Sequence, residues 1–559
     1  EAADLAHSAL AEPMPAVAAT RLRWVLSSIL FHSGRMSAAV SAAERVLAEP
    51  GLTDEVRDEA ELIVTLGLCA STDNGPCARA RAEAILAGAD DREEAAVIGA
   101  LLGLAMINWT EARLPAALDL AQDAVRRASI GPVIARRVLP RTILASMLAP
   151  LGRTDEAETV LSALSEDVTV LGHTVHGASP AILAGFAAFT AGRTTEAVAK
   201  AQAGVRLAHT HGTHLLTAFG LSVLAAAALR SGDLRAAAQH VESFQARLRQ
   251  HGAAYGRSRC AVVAAQVAEA CGEPDAAGLV TDVYANVTRY PGLLLAEPSA
   301  PAWLVRFALS QGDREHAEAM TATAERIVAG SPGFAGVAAA AAHARGLLDG
   351  DAGALGRAAT TSPDPWARAS AAEDLGVLLT AQRDHKTAVQ HLDSSLAGYD
   401  QTGAPRDAAR VRRRLRRLGV RRRHFTYADR PGSGWASLTD TERAVSNLVA
   451  QGLTNQKIAN QMFLSVHTVA FHLRQVFRKL DIGSRVDLAR VLTERSSPGH
   501  AEPAGVGGAA MEGPLTTGVG PCGQRGRAAA AAQAKQVLAA GRAVRRSAPI
   551  GRPQRSQTP

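Results

Sequence analysis

The chain has 559 residues, with 47% apolar but only 4% aromatic side chains, a balance that favours Ala- and Leu-rich helices and disfavours a β-sandwich or barrel. At about 150 residues per domain, this length predicts three or four domains. The net charge of +7 is unevenly placed: residues 401–559 carry 27 basic and 9 acidic side chains, and residues 1–400 carry 33 and 44, so a polyanionic partner is expected at the C-terminal end and not on the body.

The chain opens at Glu1 inside a helical pattern, as a segment of a longer protein would. No basic and apolar leader precedes the first helix, so no secretion signal is expected. A long uncharged apolar stretch, residues 215–229, has 15 residues, whereas a bilayer span needs about 20. A buried helix is expected there, and no membrane contact. Cys69, Cys77, Cys260, Cys271 and Cys522 form no Cys-x-x-Cys pair, which fits a reducing cytoplasm and argues against a zinc site or disulfide framework.

A Gly followed by Arg or an acidic residue recurs at Gly152-Arg153, Gly192-Arg193, Gly232-Asp233, Gly272-Glu273 and Gly312-Asp313, each 40 residues after the last. Gly34, Gly75 and Ala112-Arg113 extend the series backwards, and Gly350 and Gln382-Arg383 extend it forwards. An Ala stands five residues after nine of these ten anchors, at Ala39, Ala80, Ala117, Ala157, Ala197, Ala237, Ala277, Ala317 and Ala388; only Leu355 breaks the rule. The pattern predicts one helical hairpin per repeat. Gly ends the first helix with a positive φ, and the small Ala lets the second helix approach closely. Apolar seams such as Val160, Leu161 and Leu164, or Val198, Val205 and Leu207, follow helical spacing. One hairpin cannot bury its own face, so neighbours stack into a solenoid with a concave surface. The Gly-to-Ala spacing, as in Gly192-Arg193-Thr194-Thr195-Glu196-Ala197, resembles the tetratricopeptide family, although the period is longer than its 34 residues and its Trp and Tyr positions are missing. The array is expected over residues 1–400.

Residues 401–437 form an Arg-rich helix and a linker. Val411, Leu415 and Leu418 make one stripe of the helix, with Arg around the rest, and Arg421-Arg422-Arg423 follow. Two readings stand side by side: a solvated final helix of the solenoid, and a phosphate-tracking arm. Arg430-Pro431-Gly432-Ser433-Gly434 reads as flexible.

From Leu438 the pattern tightens. Thr439 with Glu442 is a capping box; Ala444, Val445, Leu448 and Val449 form an apolar face, and Gly452 ends the helix. Thr454 caps a short second helix with Ile458, Ala459 and Met462. Ser465 caps a third, whose stripe is Val469, Leu473, Val476 and Leu480. A fourth runs from about Arg485 to Leu492. Two short helices, a tight turn and a longer amphipathic helix make a helix-turn-helix.

The residues Leu438-Thr439, Glu442, Gly452-Leu453-Thr454-Asn455, Ile458-Ala459, Ser465, Thr468-Val469, His472, Lys479-Leu480 and Ser484-Arg485 strongly resemble the LuxR-type DNA-binding domain. With the helical body, the run 468–474 is similar to the C-terminal half of the large ATP-binding, MalT-like regulators. The resemblance implies a four-helix domain at 438–495 whose third helix enters the major groove and whose fourth pairs two copies. Ala470 stands where many members have Lys, and Lys457 where a capping Glu is common. On the helical wheel alone, His467, Thr468, Phe471, Arg474, Gln475 and Arg478 lie opposite the apolar stripe. Arg474 and Arg478 reach phosphates or guanine, Gln475 suits adenine, and Phe471 suits a thymine methyl or packs on a neighbouring helix. Asn455 and Lys457 address phosphates.

There is no Gly-x-x-x-x-Gly-Lys-Ser/Thr loop, so no ATPase is expected in this chain, although the full-length relatives implied by the resemblance carry one. His209, His211 and His214, with His173 and His176, lack partner ligands at metal spacing and read as polar loop residues. No Gly-x-Ser-x-Gly elbow occurs, and residues 505–510 mimic a dinucleotide fingerprint without a preceding strand. The tail, 496–559, is of low complexity and reads as disordered. The expectation is an all-α protein: a tetratricopeptide-like helical-hairpin solenoid followed by a LuxR-type helix-turn-helix. It would be a cytoplasmic transcription regulator and not an enzyme, with no catalytic residues, cofactor or metal. Its partners would be double-stranded DNA, a second or further copies on that DNA, and a small-molecule or protein effector on the repeats. The rival is a protein-interaction scaffold whose DNA module is vestigial.

Overall fold

The computed structural model describes residues 2–496 except 70–73, 132–138, 171, 173–175, 252–255, 274–275, 421–434, 439, 451 and 463–465. Thr439 and Ser465, both expected as caps, the Gly-rich linker and the tail from 497 lie outside the described residues. The chain divides into two compact units, Glu1–Arg423 and His424–Pro559. Among the described residues there are 26 α-helices and no strand, and no helix is long and apolar enough to cross a membrane.

In the first unit, successive helices pack as antiparallel hairpins, as in Ala178–Thr190 with Thr194–His211 or Pro365–Ala381 with His385–Gln401. The recurrent anchor is the turn between the two helices. Gly34, Gly152, Gly192, Gly232, Gly272, Gly312 and Gly350 all have φ between 66° and 87°. Ala112 and Arg383 adopt the same left-handed conformation where Gly is absent. The next residue returns its N–H to the carbonyl five back, as Arg193 does to Ala188 and Asp313 to Ala308, both at 2.9 Å. This is the Schellman closure. The residue after the anchor has its own task. Asp313 and Asp384 cap the second helix, accepting from the N–H of His316 and Thr387. Arg153 and Arg193 instead pair with Glu156 and Glu196 one turn on.

The Ala five residues on is fully buried at Ala39, Ala117, Ala157, Ala197, Ala237, Ala317 and Ala388. Leu355 obeys the same geometry by exchange: it is buried, and Gly346 stands opposite, where an added Cβ would lie 2.6 Å from the Leu355 Cγ. Two anchors are out of register. Gly75 opens the helix Gly75–Ala87 without a positive φ, so Ala78 and Ala82 are buried and Ala80 is exposed. After Gly272 the second helix begins at Ala276, which is buried, while Ala277 faces out. Leu207 is likewise exposed, not part of the seam.

Charge is buried inside this unit. Arg259 is fully buried and donates to Glu297, which is itself 2% exposed. The Arg230 guanidinium lies between the rings of Phe189 and Trp366, 3.9 and 4.3 Å from their centroids. The Arg-rich helix, Pro405–Arg417, belongs to this unit and closes it, burying Asp407, Ala408, Val411 and Leu415. Glu373 anchors it. This buried carboxylate accepts from Arg410 at 2.7 and 2.5 Å, from Arg414 at 3.0 Å and from the Tyr399 hydroxyl at 2.9 Å.

Among its described residues the second unit holds four α-helices, Asp440–Ala450, Asn455–Met462, Val466–Leu480 and Arg485–Ser496. Their core includes Leu438, Val445, Val449, Ile458, Val469, Leu473, Val476 and Leu488. Gly452 has φ 79° and ends the first helix as its sequence position predicts. The Thr454 hydroxyl accepts from the Lys457 N–H at 3.4 Å.

Candidate nucleic-acid interface

The site is one face of the helix Val466–Leu480. Its run contains Arg474, Arg478 and Lys479 with no acidic residue. Val469, Leu473 and Val476 are buried, and Leu480 is partly buried against the same core. Their spacing of four, three and four keeps them on one side of a 3.6-residue helix. His467, Phe471, Arg474 and Arg478 repeat that spacing two residues earlier, and all four are exposed. The apolar stripe thus orients a second stripe that faces solvent.

Phe471 decides how this face is read. It is 52% exposed, and its ring touches the His472 ring edge-on at 5.8 Å. It does not pack into the core as a buried Phe would. Beside it, Arg474 returns one long contact, Nε to the Ala470 carbonyl at 3.4 Å. Arg478 donates to the Gln475 side-chain oxygen at 2.5 Å, so these two act as one unit. Thr468 and Gln475 are half-exposed at the edges of the stripe. An apolar ring between guanidiniums and an imidazole can meet a thymine methyl, a guanine edge and phosphates in one groove.

The other expected residues separate. Lys457 is exposed. Asn455 is half-buried, and its oxygen accepts from Arg485 Nη1 at 2.5 Å, while Arg485 Nη2 donates to the Leu453 carbonyl. Asn455 is therefore a joint between the second and fourth helices, leaving its amide nitrogen as the group that could donate outward. Ser465 lies outside the described residues.

The support of the long helix is a second strut. Lys479 Nζ lies 2.6 Å from Glu442 Oε2, with their side chains 12% and 5% exposed. Glu442 thus ties the first helix to the end of the third, a role that its placement three residues after Thr439 does not reveal. The partners stand 37 residues apart, beyond any local pattern. On the fourth helix the Ser484 hydroxyl donates to Asp487 at 2.7 Å and accepts from its N–H. That hydrogen bond holds the Asp487 carboxyl below its ordinary range.

Residues 436–492 match the family described as "Bacterial regulatory proteins, luxR family". A Mycobacterium tuberculosis protein named as an HTH-type transcriptional regulator is 49% identical over 69 residues, which is 12% of this chain and 8% of that protein. The nitrate/nitrite response regulator protein homolog of Haemophilus influenzae is 46% identical over 61 residues, 11% of this chain and 28% of its own. The chain therefore aligns with less than a tenth of the mycobacterial relative's length. The likeness to a solved structure is distant. The crystal structure of a Rap protein complexed with competence and sporulation factor aligns at TM-score 0.42 and 9% identity, covering 71% of this chain and 99% of that one. The four-helix segment at 436–492 is a LuxR-family helix-turn-helix, joined to a body of helical hairpins.

Proposed function

We propose that the chain is a cytoplasmic transcription regulator that reads double-stranded DNA through the helix Val466–Leu480 and acts by binding, not by catalysis. The observation that carries this reading is the outward stripe His467, Phe471, Arg474 and Arg478, aligned by the buried stripe on the opposite side. Arg474 and Arg478 supply base or phosphate contacts, Phe471 an apolar base contact, and Lys457 and Asn455 backbone contacts, with Thr468, Gln475 and His467 at the margins. Val486, 77% exposed on the last helix, supports pairing of two or more copies on DNA. Paired modules read paired half-sites, one helical turn or a multiple apart. The hairpin array serves as the sensing or assembly part, open to a small-molecule or protein effector.

Selection from a random duplex pool with the full chain tests the reading. Enrichment of an inverted or direct repeat is the expected result. No enrichment above an unrelated acidic protein would reject it and favour the scaffold.

A further inference from the structure

The Arg-rich helix that closes the first unit divides its seven arginines into two groups. Arg410 and Arg414 pair with Glu373, and Arg412 pairs with Asp400 at 2.8 Å. These three hold the helix to the hairpins. The side chains of Arg406, Arg413, Arg416 and Arg417 make no ion pair or hydrogen bond with any described residue. Arg413, Arg416 and Arg417 are exposed and Arg406 is half-exposed. Positions 406, 413 and 417 are seven and four apart, so they share one stripe opposite buried Ala408, Val411 and Leu415. That stripe is about 16 Å long.

Unneutralised guanidiniums three and four residues apart repel one another and weaken a helix. Phosphates spaced along a duplex would relieve that repulsion, because DNA presents one charge per about 1.7 Å of axis. The body supplies the contrast. Residues 1–400 carry 44 acidic against 33 basic side chains, a surface that repels DNA. The stripe is a local reversal of that sign, on the last described helix of the first unit.

Resting on the reading of this chain as a DNA binder, we propose that Arg406, Arg413, Arg416 and Arg417 form a second, sequence-independent DNA-contact surface. It holds backbone phosphate and reads no base. It sets affinity and salt dependence, and the helix Val466–Leu480 sets sequence preference.

The test is a salt series on the full chain, comparing wild type with R406Q/R413Q/R416Q/R417Q. Both are titrated with a random-sequence duplex and with the duplex enriched by selection. Each phosphate contact contributes about 0.9 to the slope of log affinity against log salt, so losing four reduces it by about 3 to 4. The preference for the enriched duplex stays the same. The matching Arg-to-Lys variant keeps the charge and retains the slope, separating charge from fold. An equal slope in the Gln variant overturns the proposal, as does a lost preference at constant slope. If wild type shows no preference for any sequence, the reading of the second unit fails instead, and the slope on random duplex still decides this surface.

Discussion

Two basic helices of this chain, Pro405–Arg417 in the first unit and Val466–Leu480 in the second, use their charge differently. In Pro405–Arg417, buried Glu373 and exposed Asp400 claim three arginines before any partner arrives. In Val466–Leu480 Lys479 is claimed by Glu442, and Arg474 and Arg478 face solvent on the same stripe as Phe471. The first helix is the more basic, but three of its seven arginines serve cohesion. Net charge finds the right end of the chain, and the pairing of each charge decides which part of that end can read bases.

The largest effect comes from breaking the strut of the second unit. Lys479→Ala leaves the Glu442 carboxylate buried without its ammonium, which costs about 3–5 kcal/mol. Calorimetry on the full chain would show the transition of the second unit shifted down and the hairpin transition in place. An unshifted transition would mean that the pair is not buried as described. Glu373→Ala attacks the corresponding anchor in the first unit. Its arginine partners are about one-third exposed and can turn to water, so the expected cost is smaller, about 2–3 kcal/mol. Limited proteolysis should then cut near residues 402–420 first. Retained protection there would show that Val411 and Leu415 hold the helix without Glu373.

Arg474→Ala tests the other side of the comparison. It should weaken binding to an enriched duplex by about 1–3 kcal/mol in a titration at fixed salt, with folding unchanged. Acid separates the units further. Burial would raise the Asp374 carboxyl, but the Arg306 charge and the His343 hydrogen bond outweigh it and hold the group below the carboxylate range. A carboxylate lowered in the folded state stabilises above its unfolded pKa, and that contribution fades as pH falls from about 4 towards its folded value. Hairpin stability should therefore drop below about pH 4, and Asp374→Asn should flatten that drop.

Much of this was legible in the sequence. The four module helices follow from Gly452, Thr454 and the spacing of Val469, Leu473 and Val476, because local capping and periodicity determine them. The hairpin period follows from the Gly turns for the same reason. What local pattern cannot give is pairing across distance. Glu442 reads as half of a capping box and is a strut to Lys479; Asn455 reads as a phosphate ligand and is bound to Arg485. The Arg run stayed ambiguous because Glu373 lies 37 residues before Arg410. Gly75 and Ala277 misled because a Gly or Ala at the expected spacing is common in an Ala-rich chain, and the helix start slipped by one or more residues.

The smallest effect concerns the turns themselves. Arg383 occupies the left-handed conformation that seven other hairpins give to Gly, with φ 66°, and its side chain is exposed. That conformation costs a residue with a Cβ about 1–2 kcal/mol, while Gly raises the entropy of the unfolded chain by about 0.4–1 kcal/mol. Arg383→Gly should therefore stabilise the hairpin unit by about 0.5 kcal/mol, a small upward shift in its transition. Asp481 holds φ 53° in the second unit, but Asp tolerates this region through its own backbone hydrogen bonds. Asp481→Gly should gain less than Arg383→Gly. Equal gains at the two sites would show that strain at the turn, and not the identity of the residue holding it, sets the cost in both units.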